Sequence, residues 1–433
     1  MKQTLFIVFL SLLSILSASD ADISHPEIPL SQSESQSVYE KVKPAVFQIK
    51  TAKDEKASKA SYGSGFVVDK DGLIITNYHV VATVLQDEDK RYNIYLVDGK
   101  HSLPAKIVNF SVVYDIALLK VDKTFDTVLH LEKETPKHGE NIYSIGKPKE
   151  LNMTIVDGKY NGIIKKAIYE RIQMSTPLNA GMSGGPTVNA SGDVIGINVS
   201  VLLRSDNISF AVPIDKALGM IETYKQSKTV VQEKDVDSIV KKQLIQIEHS
   251  LMKELEKEKK STTRRGKWFY RAPAKSLKCW ITSYKNDKKE YEKTTHSCDL
   301  KNSAYLKYGL DSGTYNIDYF IIDNIKLNTP QFYKQVKTTF DSTSPLYSPR
   351  DDFTGHKCNY TIVVNKNNIS FQVKYCVDEF LKYSGLYLAT VVAASFGNSE
   401  TAMIVNMDIN GFTQENIKEF ITYHLSAIGK TNE

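Results

Sequence analysis

Between residues 36 and 222, apolar residues come in short alternating or near-continuous runs, broken by turns such as Asp98-Gly99 and Asp157-Gly158. That rhythm predicts many short strands folded as two packed β-barrels, with the cleft between them as the natural place for a site. Gly63 to Val68 and Leu73 to Thr76 flank an Asp-Lys-Asp-Gly turn, which is a hairpin signal. Pro213 to Tyr224 reads as a closing helix. From Asp235 to Lys260 the period changes. Val236, Val240, Leu244, Ile247, Leu251 and Leu255 recur at helical spacing on one face. Such a stripe suits packing on a neighbour, with a homo-oligomer contact as the alternative. The charged run Lys257 to Arg265 reads as a solvated linker.

Residues 267–433 follow another pattern. Aromatic and β-branched runs such as Tyr315 to Ile322, Asn359 to Val364 and Ile369 to Tyr375 predict strands. A helix is expected over Thr413 to Ile428. The chain therefore divides into a leader (1–21), a polar stretch (22–35), a β-rich domain (36–222), a helical linker (223–266) and an α+β domain (267–433).

Candidate chemistry sits in the β-rich part. In Leu178-Asn-Ala-Gly-Met-Ser-Gly-Gly-Pro186, Ser183 lies among glycines just before an apolar strand. Gly181 can adopt the turn that aims its own N–H and that of Ser183 at one spot. Gly184 and Gly185 are expected to leave room for a substrate carbonyl. A glycine-rich loop alone is usually only a turn. Upstream, however, His79 follows a strand directly, and Asp115 stands at the mouth of the apolar run Ile116 to Val121. The order His79, Asp115, Ser183 is that of the chymotrypsin-like triad. His101, His130 and His138 lack such surroundings, and Asp98 and Asp122 read as turn formers.

With these segments together, the chain resembles the HtrA-like branch of trypsin-like serine proteases over about residues 36 to 222. Gly63 to Val68 with Thr76-Asn-Tyr-His-Val80 looks like the histidine region, Asp115 to Lys120 the aspartate region, and Gly181 to Pro186 the nucleophile loop. Asp193 to Asn198 and Ile208 to Pro213 are similar to its closing strands. The resemblance implies a mostly β protein, a chymotrypsin-like double β-barrel followed by the helical linker and the α+β domain. It implies a serine endopeptidase acting on protein or peptide substrates, with Gly181 and Ser183 forming the oxyanion hole. The substrate pocket would be walled by Leu178, Asn179, Ala180, Asn198, Val199, Ser200 and Val201. No acidic residue occupies these positions, which favours apolar residues before the scissile bond. Two departures stand out. Met182 replaces the Asn or Asp that usually precedes the nucleophile, so activation by pairing a new N-terminus with that carboxylate is not expected. Nothing after residue 222 resembles the PDZ domains that often follow such proteases. The alternatives are an esterase, or a chaperone-like or scaffold protein on the same fold with weak or gated activity.

Composition narrows the setting. The chain has 433 residues, 41% hydrophobic and 24% charged, which is ordinary for a globular protein and unlike a disordered one. The net charge of +5 is spread over many lysines, and no nucleic-acid motif accompanies it. A positive start, an apolar run from Leu5 to Leu16 and small residues before position 21 predict a signal peptide, hence a secreted or periplasmic protein with no membrane span after cleavage. The four cysteines, Cys279, Cys298, Cys358 and Cys376, all fall in the last part. Export and an even count point to disulfides. Three pairings are open. Cys279 with Cys298 and Cys358 with Cys376 is preferred, because each pair brackets a short strand–turn–strand stretch. No Cys-x-x-Cys spacing or histidine cluster argues for a metal, and no cofactor motif is present.

Overall fold

A computed structural model describes residues 33–431, apart from 88, 100, 149–151, 165–168, 200–207, 259–260, 301–302, 344–345, 347–348 and 356. The expected signal peptide lies outside the described residues. Helix α1 (Glu34–Val42) opens this part, and its Val38 and Val42 are buried.

The first barrel uses β1 (Val46–Ala52), β2 (Ala60–Asp69), β3 (Leu73–Thr76), helix α2 (Tyr78–Gln86), β4 (Asn93–Asp98), β5 (His101–Ser111) and β6 (Ile116–Val121). It closes in the order β1-β2-β3-β6-β5-β4. All four residues of β3 are buried, as befits an apolar run wedged between two partner strands. The second barrel is built from β7 (Asn141–Gly146), β8 (Thr154–Ile164), β9 (Arg171–Met174), β10 (Pro186–Asn189), β11 (Val194–Val199) and β12 (Ser209–Pro213), ordered β10-β11-β12-β9-β8-β7. Closure leaves neither barrel an open strand edge. Helix α3 (Asp215–Ser227) follows.

Helix α4 (Val236–Lys257) carries the apolar stripe, and all six of its predicted residues are buried within this chain. The helix lies against the carboxy-terminal sheet described next. On the barrel side, the Gln243 side chain accepts from Val112 N–H and donates to Phe110 C=O, at 2.7 and 3.1 Å.

The expected solvated linker is in part a strand. β13 (Thr262–Arg265) pairs with β14 (Trp268–Arg271), which in turn pairs with β24 (Gly429–Lys430) at the far end of the chain. Its side chains stay largely exposed, so the charge pattern alone could not separate the two states. The remaining elements are β15 (Leu277–Lys285), β16 (Tyr291–Leu300), β17 (Ala304–Lys307), β18 (Leu310–Ser312), β19 (Thr314–Asn324), α5 (Thr329–Ser342), β20 (Lys357–Val364), β21 (Ser370–Glu379), β22 (Tyr387–Ser395), β23 (Thr401–Phe412) and α6 (Gln414–Ser426). Seven of these strands form one antiparallel sheet, β15-β16-β19-β23-β22-β21-β20, while β17 and β18 make a separate hairpin. Disulfides join Cys279 to Cys298 and Cys358 to Cys376. Each joins directly opposed residues, and each ties an edge strand to its inner neighbour. The expected double barrel, helix and disulfide-bearing α+β part are all present.

Candidate active site

Asn77 occupies the position before α2 where an Asn side chain ordinarily caps the helix. It makes no cap bond. Its amide instead donates to the Asp115 C=O at 2.8 Å. Asp115 does the capping. Its Oδ1 accepts from the His79 backbone N–H at 2.9 Å, and its Oδ2 lies 2.7 Å from His79 Nδ1. A carboxylate at a helix N-terminus is favoured by the exposed N–H groups there. Asp115 reaches this place from a left-handed backbone, φ 60°, which Asp tolerates better than most residues. The helix start and the imidazole are thus held by one side chain.

The electrostatics follow from this grip. Burial pushes the His79 imidazole toward the neutral form. The charge of Asp115 and the hydrogen bond to it outweigh burial and leave the His79 pKa raised above the ordinary 6.5. A quarter of the His79 side chain remains accessible.

Ser183 sits in the loop between β9 and β10 and is 4% exposed. A turn precedes it, closed by Met182 N–H to Asn179 C=O at 3.0 Å, with Gly181 at φ 90° in its third position. That conformation belongs to a type II turn, which requires glycine there. Ser64 anchors the loop from the first barrel. Its N–H donates to the Ser183 C=O at 2.7 Å, and its hydroxyl donates to the Gly181 C=O at 2.7 Å while accepting from Lys147 N–H at 2.8 Å. Ser64 is wholly buried. It lies inside the Gly-Ser-Gly run, where it reads as one more strand residue.

Gly184 and Gly185 have another reason than substrate room. A methyl on Gly184 would stand 2.3 Å from the Ser64 carbonyl oxygen and 2.9 Å from Asn77 N. One on Gly185 would meet the Ile145 carbonyl oxygen at 2.1 Å. These glycines let the serine loop press against both barrels, beside the start of α2 and two residues from His79. That close approach is what brings the histidine and serine segments together.

The expected pocket residues divide. Asn179 and Ala180 are exposed on the loop and Leu178 is half-buried. Val199 is buried in the apolar core. Asn198 departs from the expectation of a pocket-lining amide. Its Oδ1 accepts from Thr187 Oγ1 at 2.6 Å, and its Nδ2 donates to Ile145 C=O at 3.0 Å and Met182 C=O at 3.4 Å. It braces the loop from inside the barrel. Ser200 and Val201 lie outside the described residues. The Met182 side chain is fully buried and takes no polar part.

Residues 63–197 match the family described as the trypsin-like peptidase domain. The chain is 36% identical over 180 residues to a probable periplasmic serine endoprotease DegP-like of Pseudomonas fluorescens, covering 40% of this chain and 37% of that one. A protein of the same description from Hahella chejuensis is 38% identical over 178 residues, covering 39% and 37%. This part of the chain is an HtrA-like, trypsin-like peptidase domain. The chloroplastic protease Do-like 5 of Arabidopsis thaliana is 32% identical over 188 residues, covering 39% of this chain and 58% of that one. The chain thus spans less than two thirds of the length of these relatives, and the family match ends at residue 197, before the carboxy-terminal part.

Outside the peptidase domain, Cys279, His296 and Cys298 place possible metal-ligand atoms close together. Both sulfurs are joined in the disulfide, so no thiolate is left to bind an ion. Among the described residues, no helix is long and apolar enough to cross a membrane.

Proposed function

We propose that the protein is an exported serine endopeptidase that hydrolyses protein substrates through an acyl-enzyme. The observation that carries this reading is the two-point hold of Asp115 on His79. It keeps a proton on Nδ1 and leaves Nε2 as the basic nitrogen. His79 takes the Ser183 proton as the hydroxyl attacks a peptide carbonyl, then passes it to the departing amine. Asp115 stabilises the imidazolium in between. The N–H groups of Gly181 and Ser183 stabilise the oxyanion, and losing one such donor costs about 2.7–4 kcal/mol of barrier. Water then releases the acyl group by the same route.

Export is supported by the leader's charge and apolar pattern and by relatives named as periplasmic. A preference for apolar residues before the scissile bond is supported by the absence of any acidic side chain at Leu178, Asn179 and Ala180. Casein digestion by the wild type and by Ser183→Ala tests the assignment. Cleavage should be present in the first and lost in the second. Equal cleavage by both would overturn it.

A further inference from the structure

The hairpin β17–β18 belongs to the carboxy-terminal part of the chain, yet it lies against α2 of the peptidase domain. Two phenols of that domain hold its first strand and the residue just before it. Tyr169 Oη donates to the Ser303 C=O at 2.6 Å, and Tyr78 Oη donates to the Leu306 C=O at 3.1 Å. Tyr78 immediately precedes His79. Burial raises the pKa of both phenols far above the ordinary tyrosine value, so both remain donors across the working pH range.

These two bonds bracket Tyr305. Side chains alternate across a strand. Ala304 is buried at 1% exposure, which sends its neighbour Tyr305 to the opposite face, and a bulge after Tyr305 leaves Leu306 buried as well. There its ring meets the His79 imidazole edge-on, with centroids 6.1 Å apart and planes at 77°. That spacing is aromatic contact. At the far end of β17, Lys307 pairs with Asp352 at 2.6 Å, fixing the hairpin to its own part of the chain. The ring is therefore a positioned wall rather than a loose surface residue.

We infer that Tyr305 is a specificity-determining residue of the catalytic cleft, supplied from outside the peptidase domain. The inference rests on the protease reading given above. For Ser183 to attack, a peptide carbonyl must sit about 3–3.5 Å from its hydroxyl. The chain leading to that carbonyl then passes close to His79. A substrate side chain lying beside the imidazole meets the Tyr305 ring. The subsite flanked by His79 consequently accepts polypeptides with small residues, such as Gly, Ala or Ser, and excludes Leu, Phe and other bulky ones. Replacing the ring by a methyl group opens that subsite alone. A contact of even one methylene in such a pocket changes discrimination by about tenfold or more.

The test is a positional-scanning peptide library cleaved by full-length wild type, Tyr305→Ala, Tyr305→Phe and Tyr305→Trp. Every rate is normalised to active sites titrated with a small fluorophosphonate. Tyr305→Ala should raise kcat/KM for bulky over small residues at one substrate position by at least about tenfold. Tyr305→Phe should keep the wild-type profile, and Tyr305→Trp should narrow it further. An unchanged profile in both the Ala and Trp variants, or a rate change uniform across all positions, would overturn the inference. Failure of the wild type itself to titrate would instead count against the protease reading, so the two failures are distinguishable. Should the Ala variant not fold, the Trp variant still gives a directional answer.

Discussion

Asp115 caps helix α2 and orients His79 with the same carboxylate, one oxygen on the His79 N–H at 2.9 Å and the other 2.7 Å from Nδ1. Asp115→Asn keeps an oxygen for the backbone N–H but can place an NH2 opposite Nδ1. The imidazole is then driven to the tautomer with its proton on Nε2. Peptidase kcat should fall by roughly 10⁴-fold with little loss of stability. Asp115→Ala should also cost about 1 kcal/mol through the lost cap. Steady-state kinetics and urea unfolding of the two variants separate these effects.

The same contact fixes the pH dependence. Burial works against the His79 cation, but the charge of Asp115 and the bond to it prevail and raise the pKa above 6.5. Only the neutral imidazole can accept the Ser183 proton. The acid limb of kcat/KM should therefore lie above pH 6.5 and activity should fall as pH drops through it. In Asp115→Asn the raising effects are gone and burial remains, so residual activity should persist to lower pH. A limb that does not move would contradict this.

Ser64 is the hinge pin of the serine loop. Ser64→Ala removes the donor to the Gly181 carbonyl and the acceptor for Lys147 N–H. Leaving buried partners unpaired should cost about 1–3 kcal/mol of stability. A relaxed Gly181 peptide should lower kcat on the order of 10²-fold while KM changes less. A variant whose KM rises at constant kcat would show that Ser64 acts on substrate binding instead.

Each disulfide ties an edge strand to its inner neighbour. Beyond Leu277 every residue of β15 is exposed, and so is all of β20. Little apolar burial holds these edges. Cys279→Ser together with Cys298→Ser should therefore lose about 3 kcal/mol in urea unfolding. Fluorophosphonate labelling of the variant should persist, because both cysteines lie on β15 and β16 of the carboxy-terminal sheet.

His424 makes the carboxy-terminal part acid-sensitive. Its ring packs 4.6 Å from Phe420, and its Nδ1 lies 2.9 Å from Tyr319 Oη. Burial pushes its pKa from 6.5 down to about 3, with Arg271 adding to the effect. The unfolded chain takes up this proton first. Stability is therefore unaffected above pH 6.5 and falls below it, by about 1.4 kcal/mol per pH unit, until the folded value is reached. Between pH 7 and 5 the wild type should lose about 2 kcal/mol more than His424→Asn. Parallel losses in the two proteins would contradict the role of His424.

The segments proposed to carry the triad were legible in the sequence because that chemistry calls for fixed residue types at strand ends: His79 after β3, Asp115 before β6, Ser183 before β10. The stripe on α4 was legible because its period is local. Contacts between distant segments were not. Nothing near Tyr305 in sequence points to His79, and Ser64 looks like any small residue between glycines. Gly184 and Gly185 answer to carbonyls of Ser64 and Ile145 that only the folded barrels bring near. Helix α5 had a local signal, the capping box of Asn328 and Gln331 with Pro330 between them, but its surrounding pattern is polar and masks the helical face.

The most direct measurement is tandem mass spectrometry of the full-length protein after reaction with a fluorophosphonate, alongside Ser183→Ala and His79→Ala. A base-activated nucleophile predicts a single adduct on Ser183, absent from the first variant and strongly slowed in the second. No adduct on the wild type, or an adduct on any other residue, would contradict the proposed triad.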